Sequence, residues 1–120
     1  MPTNKNEFII KRNDTLPSLQ ICLIDRGCLG NKQPYLLSGV TGVTFTMANN
    51  SGDYKILSKP AQIISNSGGT IQYNWQNGDT NESGSFLGEF HLHYSNGGKL
   101  SIPQNGYIKI EIPKGVNPFN

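Results

Sequence analysis

Along most of this chain apolar and polar side chains alternate at every second residue. That period describes extended strands with one dry and one wet face and is incompatible with helices. "GTIQYNW" sets Ile71, Tyr73 and Trp75 on one side and Gln72 and Asn74 on the other. "SFLGEFHLHY" sets Phe86, Gly88, Phe90, Leu92 and Tyr94 against Leu87, Glu89, His91 and His93. "GVTFTM" points Val43, Phe45 and Met47 inward and Thr44 and Thr46 outward, and "GYIKIEI" does the same with Ile108, Ile110 and Ile112 against Lys109 and Glu111. Shorter runs place Phe8 with Ile10, Leu19 with Ile21 and Leu23, and Leu100 with Ile102. "YKIL" and "AQIIS" read as two strands separated at Pro60. The core expected from this pattern is Phe8, Ile21, Phe45, Ile71, Tyr73, Trp75, Phe86, Phe90, Leu92, Ile108 and Ile110.

Turn signals separate these runs at short intervals. Gly accounts for 14 of 120 residues and charged residues for only 15%, a balance poor in helix formers. Asp14 shapes the entry to an early strand, and Gly78, Asp79 and Gly84 reverse the chain between the strand carrying Trp75 and the strand carrying Phe90. "SNGG", with Gly97, is a hairpin turn. Seven to nine short strands follow, in one domain spanning residues 1–120 with short polar ends. The expected fold class is all-β, an antiparallel two-sheet β-sandwich.

Charge excludes one class of partner. The net charge is +2 and the ten basic residues are scattered, so no basic patch awaits a nucleic acid. No segment approaches the ~18 apolar residues of a membrane span, and the start "MPTNKNEF" lacks the apolar run of a signal peptide, so synthesis in the cytoplasm is expected. The polar ends "MPTNKN" and "GVNPFN" are expected to fray in a free monomer. Cys22 and Cys28, in "CLIDRGC", are too few for a disulfide framework and read as free buried thiols.

Three groupings invite chemistry. Asp79 and Glu82 lie in an Asn- and Gly-rich loop, but two carboxylates without calcium-loop spacing favour a turn in which Asp79 accepts backbone N–H bonds. His91 and His93 share the wet face of a strand. Zinc there needs a third ligand from a neighbour, and pairing of Glu89 with a histidine on a solvent-facing sheet is the simpler reading. Glu89 and Asp79 are a conceivable carboxylate pair, with nothing marking a cleft around them. No Ser/His/Asp arrangement and no phosphate-cradling glycine loop is legible. No catalytic residue, metal or cofactor is therefore expected. The aromatic rings of the two long strands belong to the core rather than to a sugar-stacking platform. Tyr35, Tyr54, Tyr107 and Phe119, at strand ends or loops, are the better contact residues.

The ordered series "NDTLPSLQICLID", "LLSGVTGVTFTM", "YNWQNGDTNESGSFLGEF" and "GGKLSIPQNGYIKIEI" resembles the immunoglobulin-like domain at the N-terminus of phage baseplate upper proteins, from Phe8 to Ile112. The resemblance implies an immunoglobulin-like sandwich in a tailed-phage virion. It would serve as a non-enzymatic structural module of the tail, baseplate or fibre-joining region, present in multiple copies and contacting tail, fibre or major capsid proteins. A capsid decoration protein and a carbohydrate-binding sandwich recognising host glycans are the alternatives.

Overall fold

In a computed structural model that describes residues 7–25, 33–34, 37–103 and 106–115, the alternating runs become strands and the described residues contain no helix. The strands are β1 (Glu7–Ile9), β2 (Leu19–Cys22), β3 (Ile24–Asp25), β4 (Gln33–Pro34), β5 (Val40–Asn49), β6 (Tyr54–Ser65), β7 (Thr70–Tyr73), β8 (Gly84–Tyr94), β9 (Lys99–Ile102) and β10 (Ile108–Ile112). They are hydrogen-bonded in the order β1-β10-β8-β5-β6-β7-β2, with β9 also on β8 and β3-β4 as a separate ribbon. All these pairings are antiparallel except β1 with β10, which run parallel and make the sheet mixed where an antiparallel one was expected.

β6 is the element that brings the two halves of the fold together. Its first part pairs with β5 as far as Ala61, and its second pairs with β7 from Gln62. The two strands expected on either side of Pro60 are therefore one. A proline is tolerated where one edge of a strand lacks a neighbour, and β7 has not yet joined β6 at that point.

The dry faces meet in a single core of buried side chains that includes every predicted core residue except Phe8 and Ile21. Those two pack against it half-buried, because β1 and β2 are the edges of the sheet and leave one flank uncovered. At its centre Phe45 lies 4.8 Å from the ring of Tyr73 and 4.9 Å from that of Phe90, with Trp75 edge-on to both Phe45 and Tyr73. Gly88 is buried directly beneath, where an added Cβ would stand 2.7 Å from Ile110 and 2.9 Å from Phe45. Glycine is required there to let the rings reach the strand.

The turns behave as expected with one shift of residue. Gly78 (φ 92°), Gly84 (φ 144°) and Gly97 (φ 89°) hold conformations that favour glycine. At the early turn Asn13 (φ 69°), not Asp14, takes the left-handed conformation, while the Asp14 carbonyl accepts the Thr80 hydroxyl at 2.7 Å. Asp79 is 2% exposed. Its carboxylate accepts the Tyr73 hydroxyl at 2.6 Å, the Gln76 amide at 2.8 Å and the Lys59 ammonium at 3.0 Å. Burial, followed by the hydrogen bond to Asp79 and the charge of that carboxylate, pushes the Tyr73 phenol far above its ordinary value. Cys22 is free and exposed rather than buried, because it ends an edge strand; Cys28 and both chain ends lie outside the described residues.

Candidate functional groove

Two irregularities interrupt the wet face of the sheet at the same level. On one side, Phe45 pairs with Lys59 and Met47 with Ile56, so Leu57 and Ser58 together stand opposite Thr46. This is a β-bulge. Ser58 takes φ 51°, and its amide donates to the Thr46 hydroxyl at 3.1 Å in place of a ladder carbonyl. On the other side, β9 and β10 run along the same edge of β8. Ile102 pairs with Phe90 and Ile108 with Gly88. The strand on this edge is therefore interrupted opposite Glu89, and Pro103, Gly106 and Tyr107 belong to the interposed segment. Thr46 and Glu89 are themselves cross-strand partners.

Both flanks are thus irregular over one point of the floor, which spans β5 and β8. With strands ~4.8 Å apart, β6 and the edge formed by β9 and β10 stand roughly 14 Å from each other. Between them lies a groove of about 470 Å³, within the usual range for a small-ligand site. Thr46, Ala48, Leu87, Glu89 and His91 line it along the floor strands; Tyr54, Leu57 and Ser58 belong to β6, and Tyr107 to the interposed segment. Tyr54 is 66% exposed, Leu57 61% and Tyr107 54%, large apolar surface that the core does not use. The β5–β6 turn closes one end, its shape held by Asn49, whose side-chain oxygen accepts the amides of Ser51 at 2.9 Å and Asp53 at 3.0 Å.

The polar groups in the groove are held in place before any ligand arrives. His91 Nε2 faces Glu89 Oε1 at 3.3 Å, and His91 Nδ1 faces the Ser101 hydroxyl at 3.1 Å. Burial lowers the basicity of His91 below that of an ordinary histidine. Glu89 opposes this, while Lys99 and His93 reinforce it. The neutral imidazole then donates Nε2–H to Glu89 and accepts from Ser101 at Nδ1. Hydroxyl, imidazole and carboxylate in that order also make an acyl-transfer relay, a grouping not legible in the sequence. Ser101, however, lies on the regular strand β9, outside the groove lining, so this groove does not present a carbonyl to it.

The other candidates separate. His93 turns to the Thr44 hydroxyl at 3.1 Å. Asp79 is consumed by its three donors and Glu82 is exposed, so neither the calcium loop nor the Glu89–Asp79 pair is assembled. Among the described residues no three His, Cys, Asp or Glu side chains come together to hold a metal. A cleft does surround Glu89, contrary to the expectation that none marks it. Of the four expected contact residues Tyr54 and Tyr107 line this groove, and Tyr35 and Phe119 lie outside the described residues. No described helix is long and apolar enough to cross a membrane.

No family model and no curated protein matches the chain. A solved structure does: CopC from Methylosinus trichosporium OB3b, with a TM-score of 0.52, 10% sequence identity, and coverage of 92% of this chain and 87% of that one. At that identity the likeness is one of all-β fold. It also overturns the expected role as a tailed-phage tail, baseplate or decoration module, since the likeness found is to CopC and not to a virion protein. The glycan-binding alternative required several exposed rings, and Tyr73, Trp75, Phe86 and Phe90 are buried. The resemblance to the phage domain rests on its quoted motifs alone.

Proposed function

We propose that this chain is a non-catalytic ligand-binding domain with an immunoglobulin-like arrangement of two packed sheets, and that its ligand lies in the groove over Thr46 and Glu89. The observation that carries this reading is the coincidence of the bulge on β6 and the break between β9 and β10, flanking one cross-strand pair. A bulge costs ladder hydrogen bonds and recurs where a sheet must redirect side chains at a site. Here the bulge and the break place apolar side chains, Leu57 and Tyr107, in the lining around Glu89, which pairs with a His91 oriented by Ser101. Pre-oriented polar groups within an aromatic and aliphatic rim are the common design of small-ligand pockets.

A screen of small-molecule fragments by amide NMR tests this. Hits are expected to shift the resonances of Thr46, Leu57, Glu89 and His91 together, and Tyr107→Ala is expected to weaken them. Binding confined to other surfaces, with those amides unmoved, would remove the reading. The relay of Ser101, His91 and Glu89 gives an enzyme reading its own test. Ser101→Ala is expected to retain fragment binding, whereas ester hydrolysis by the wild type that Ser101→Ala abolishes would make this a catalytic site.

A further inference from the structure

Among the lining residues Glu89 is the single carboxylate, and no Lys or Arg joins it, in a chain whose net charge is +2. Lys59 pairs with Asp79 at 3.0 Å, Lys55 with Asn81, and Lys109 stands 3.9 Å from Glu111, while the charge of Lys99, outside the lining, is felt at His91. The Glu89 side chain is partly exposed and its histidine neighbour is neutral at ordinary pH, so the groove has a net negative charge at its floor. Around that charge stand two tyrosine rings and the aliphatic groups of Leu57, Leu87 and Ala48. Resting on the reading of this groove as a binding site, we infer that its ligand is a small organic cation. Its ammonium group pairs with Glu89, and its apolar body is held among Tyr54, Leu57 and Tyr107.

Each alternative meets a physical objection. An anion is repelled by Glu89 and finds no basic side chain in the lining. A neutral apolar molecule covers a carboxylate without pairing it, which leaves a desolvated charge uncompensated. An ammonium group pairs with the carboxylate by a charge-assisted hydrogen bond, and the tyrosine faces attract it further through their ring quadrupoles. The groove volume, about 470 Å³, accommodates one ring or a short alkyl chain with its charged head.

The test is calorimetry and amide NMR on the whole chain with phenethylammonium, its anionic counterpart phenylacetate and its neutral counterpart phenethyl alcohol. The cation is expected to bind at least about tenfold more tightly than either, and Glu89→Gln, which keeps size and polarity, is expected to remove that preference. Acidification supplies a second measurement that needs no variant. The groups facing His91 are Glu89 and His93 on β8 and Lys99 on β9. Its other neighbours, Thr44 and Ser101, do not titrate. As pH falls below 6.5, His91 takes up a proton and pairs with Glu89, and affinity for the cation is expected to fall several-fold once it does. Equal or tighter binding of phenylacetate, or an unchanged preference in Glu89→Gln, would overturn the cation assignment while leaving the groove as a binding site. Groove amides that no compound of any charge perturbs would remove both. Butylammonium bound more than about tenfold less tightly than a lysine-bearing peptide would replace the small molecule with a protein partner.

Discussion

Replacing Asp79 with alanine should be among the most costly single changes in this protein, and the cost can be assembled from its partners. The carboxylate accepts hydrogen bonds from the buried Tyr73 hydroxyl, the Gln76 amide and the Lys59 ammonium. Removing it leaves a phenol and a backbone N–H unpartnered, at about 1–3 kcal/mol each. The Lys59 side chain is 43% exposed, so losing its ion pair adds less than about 1 kcal/mol. The sum is roughly 2–7 kcal/mol, a large share of the 5–15 kcal/mol typical of a domain. Tyr73→Phe alone should cost about 1–2 kcal/mol, since Asp79 loses one donor of three. In the Asp79→Ala background the same change should be neutral or stabilising, because it removes a hydroxyl that has already lost its acceptor. Urea unfolding of the four proteins measures this coupling, expected at about 1.5–3 kcal/mol. With an m-value near ~1.5 kcal/mol/M, Asp79→Ala alone moves the midpoint by about 1–5 M. If the two changes add to within ~0.5 kcal/mol, Tyr73 and Asp79 do not act as a unit and the account of this turn fails.

Three further outcomes follow from the same geometry. Gly88→Ala should destabilise by about 1–3 kcal/mol, because the new methyl meets Ile110 Cδ1 at 2.7 Å, and adding Ile110→Val should recover part of the loss in urea unfolding. The raised pKa of Tyr73 predicts an alkaline effect: the folded state holds the phenol protonated, so this contribution is intact below the ordinary value of 10.0 and is lost as pH rises beyond it. Tyr73→Phe should flatten that decline in a series of unfolding curves above pH 10. For His91 the sign reverses. Its folded-state pKa lies below 6.5, so its contribution is present above that value and wanes as pH falls, and its imidazole proton resonances should titrate below those of a free histidine.

The readings that succeeded from sequence depend on a single strand's own period. Ile71, Tyr73 and Trp75 are buried as their spacing requires, while Gln72 and Asn74, on the other face, bond to each other at 2.7 Å. The same holds for Phe86, Phe90 and Leu92 against Glu89 and His91. The function of Asp79 as a holder of its own turn was legible too, because an Asp between Gly78 and Gly84 has few other tasks. Errors began where one strand's pattern had to be related to another's. "SKP" read as a break, and it is a bulge in a continuous strand whose extra residue is absorbed by Thr46. Nothing in the sequence marks that β9 ends opposite Phe90 and β10 begins opposite Gly88, since that depends on which residues of β8 each pairs with.

What the chain's own pattern determined is the sorting of side chains into a dry and a wet face, because pleating sends successive residues to opposite sides whatever the neighbours do. Only the tertiary structure decided where the wet face becomes a groove. Register is a relation between strands: Thr46 meets Glu89 more than 40 positions along the chain, and the bulge and the break beside them come from separate pairings with β6, β9 and β10. Those pairings are selected by the burial of Phe45 and Phe90 on the opposite side of the same two strands. The packing of the core therefore positions Glu89 and His91 above it.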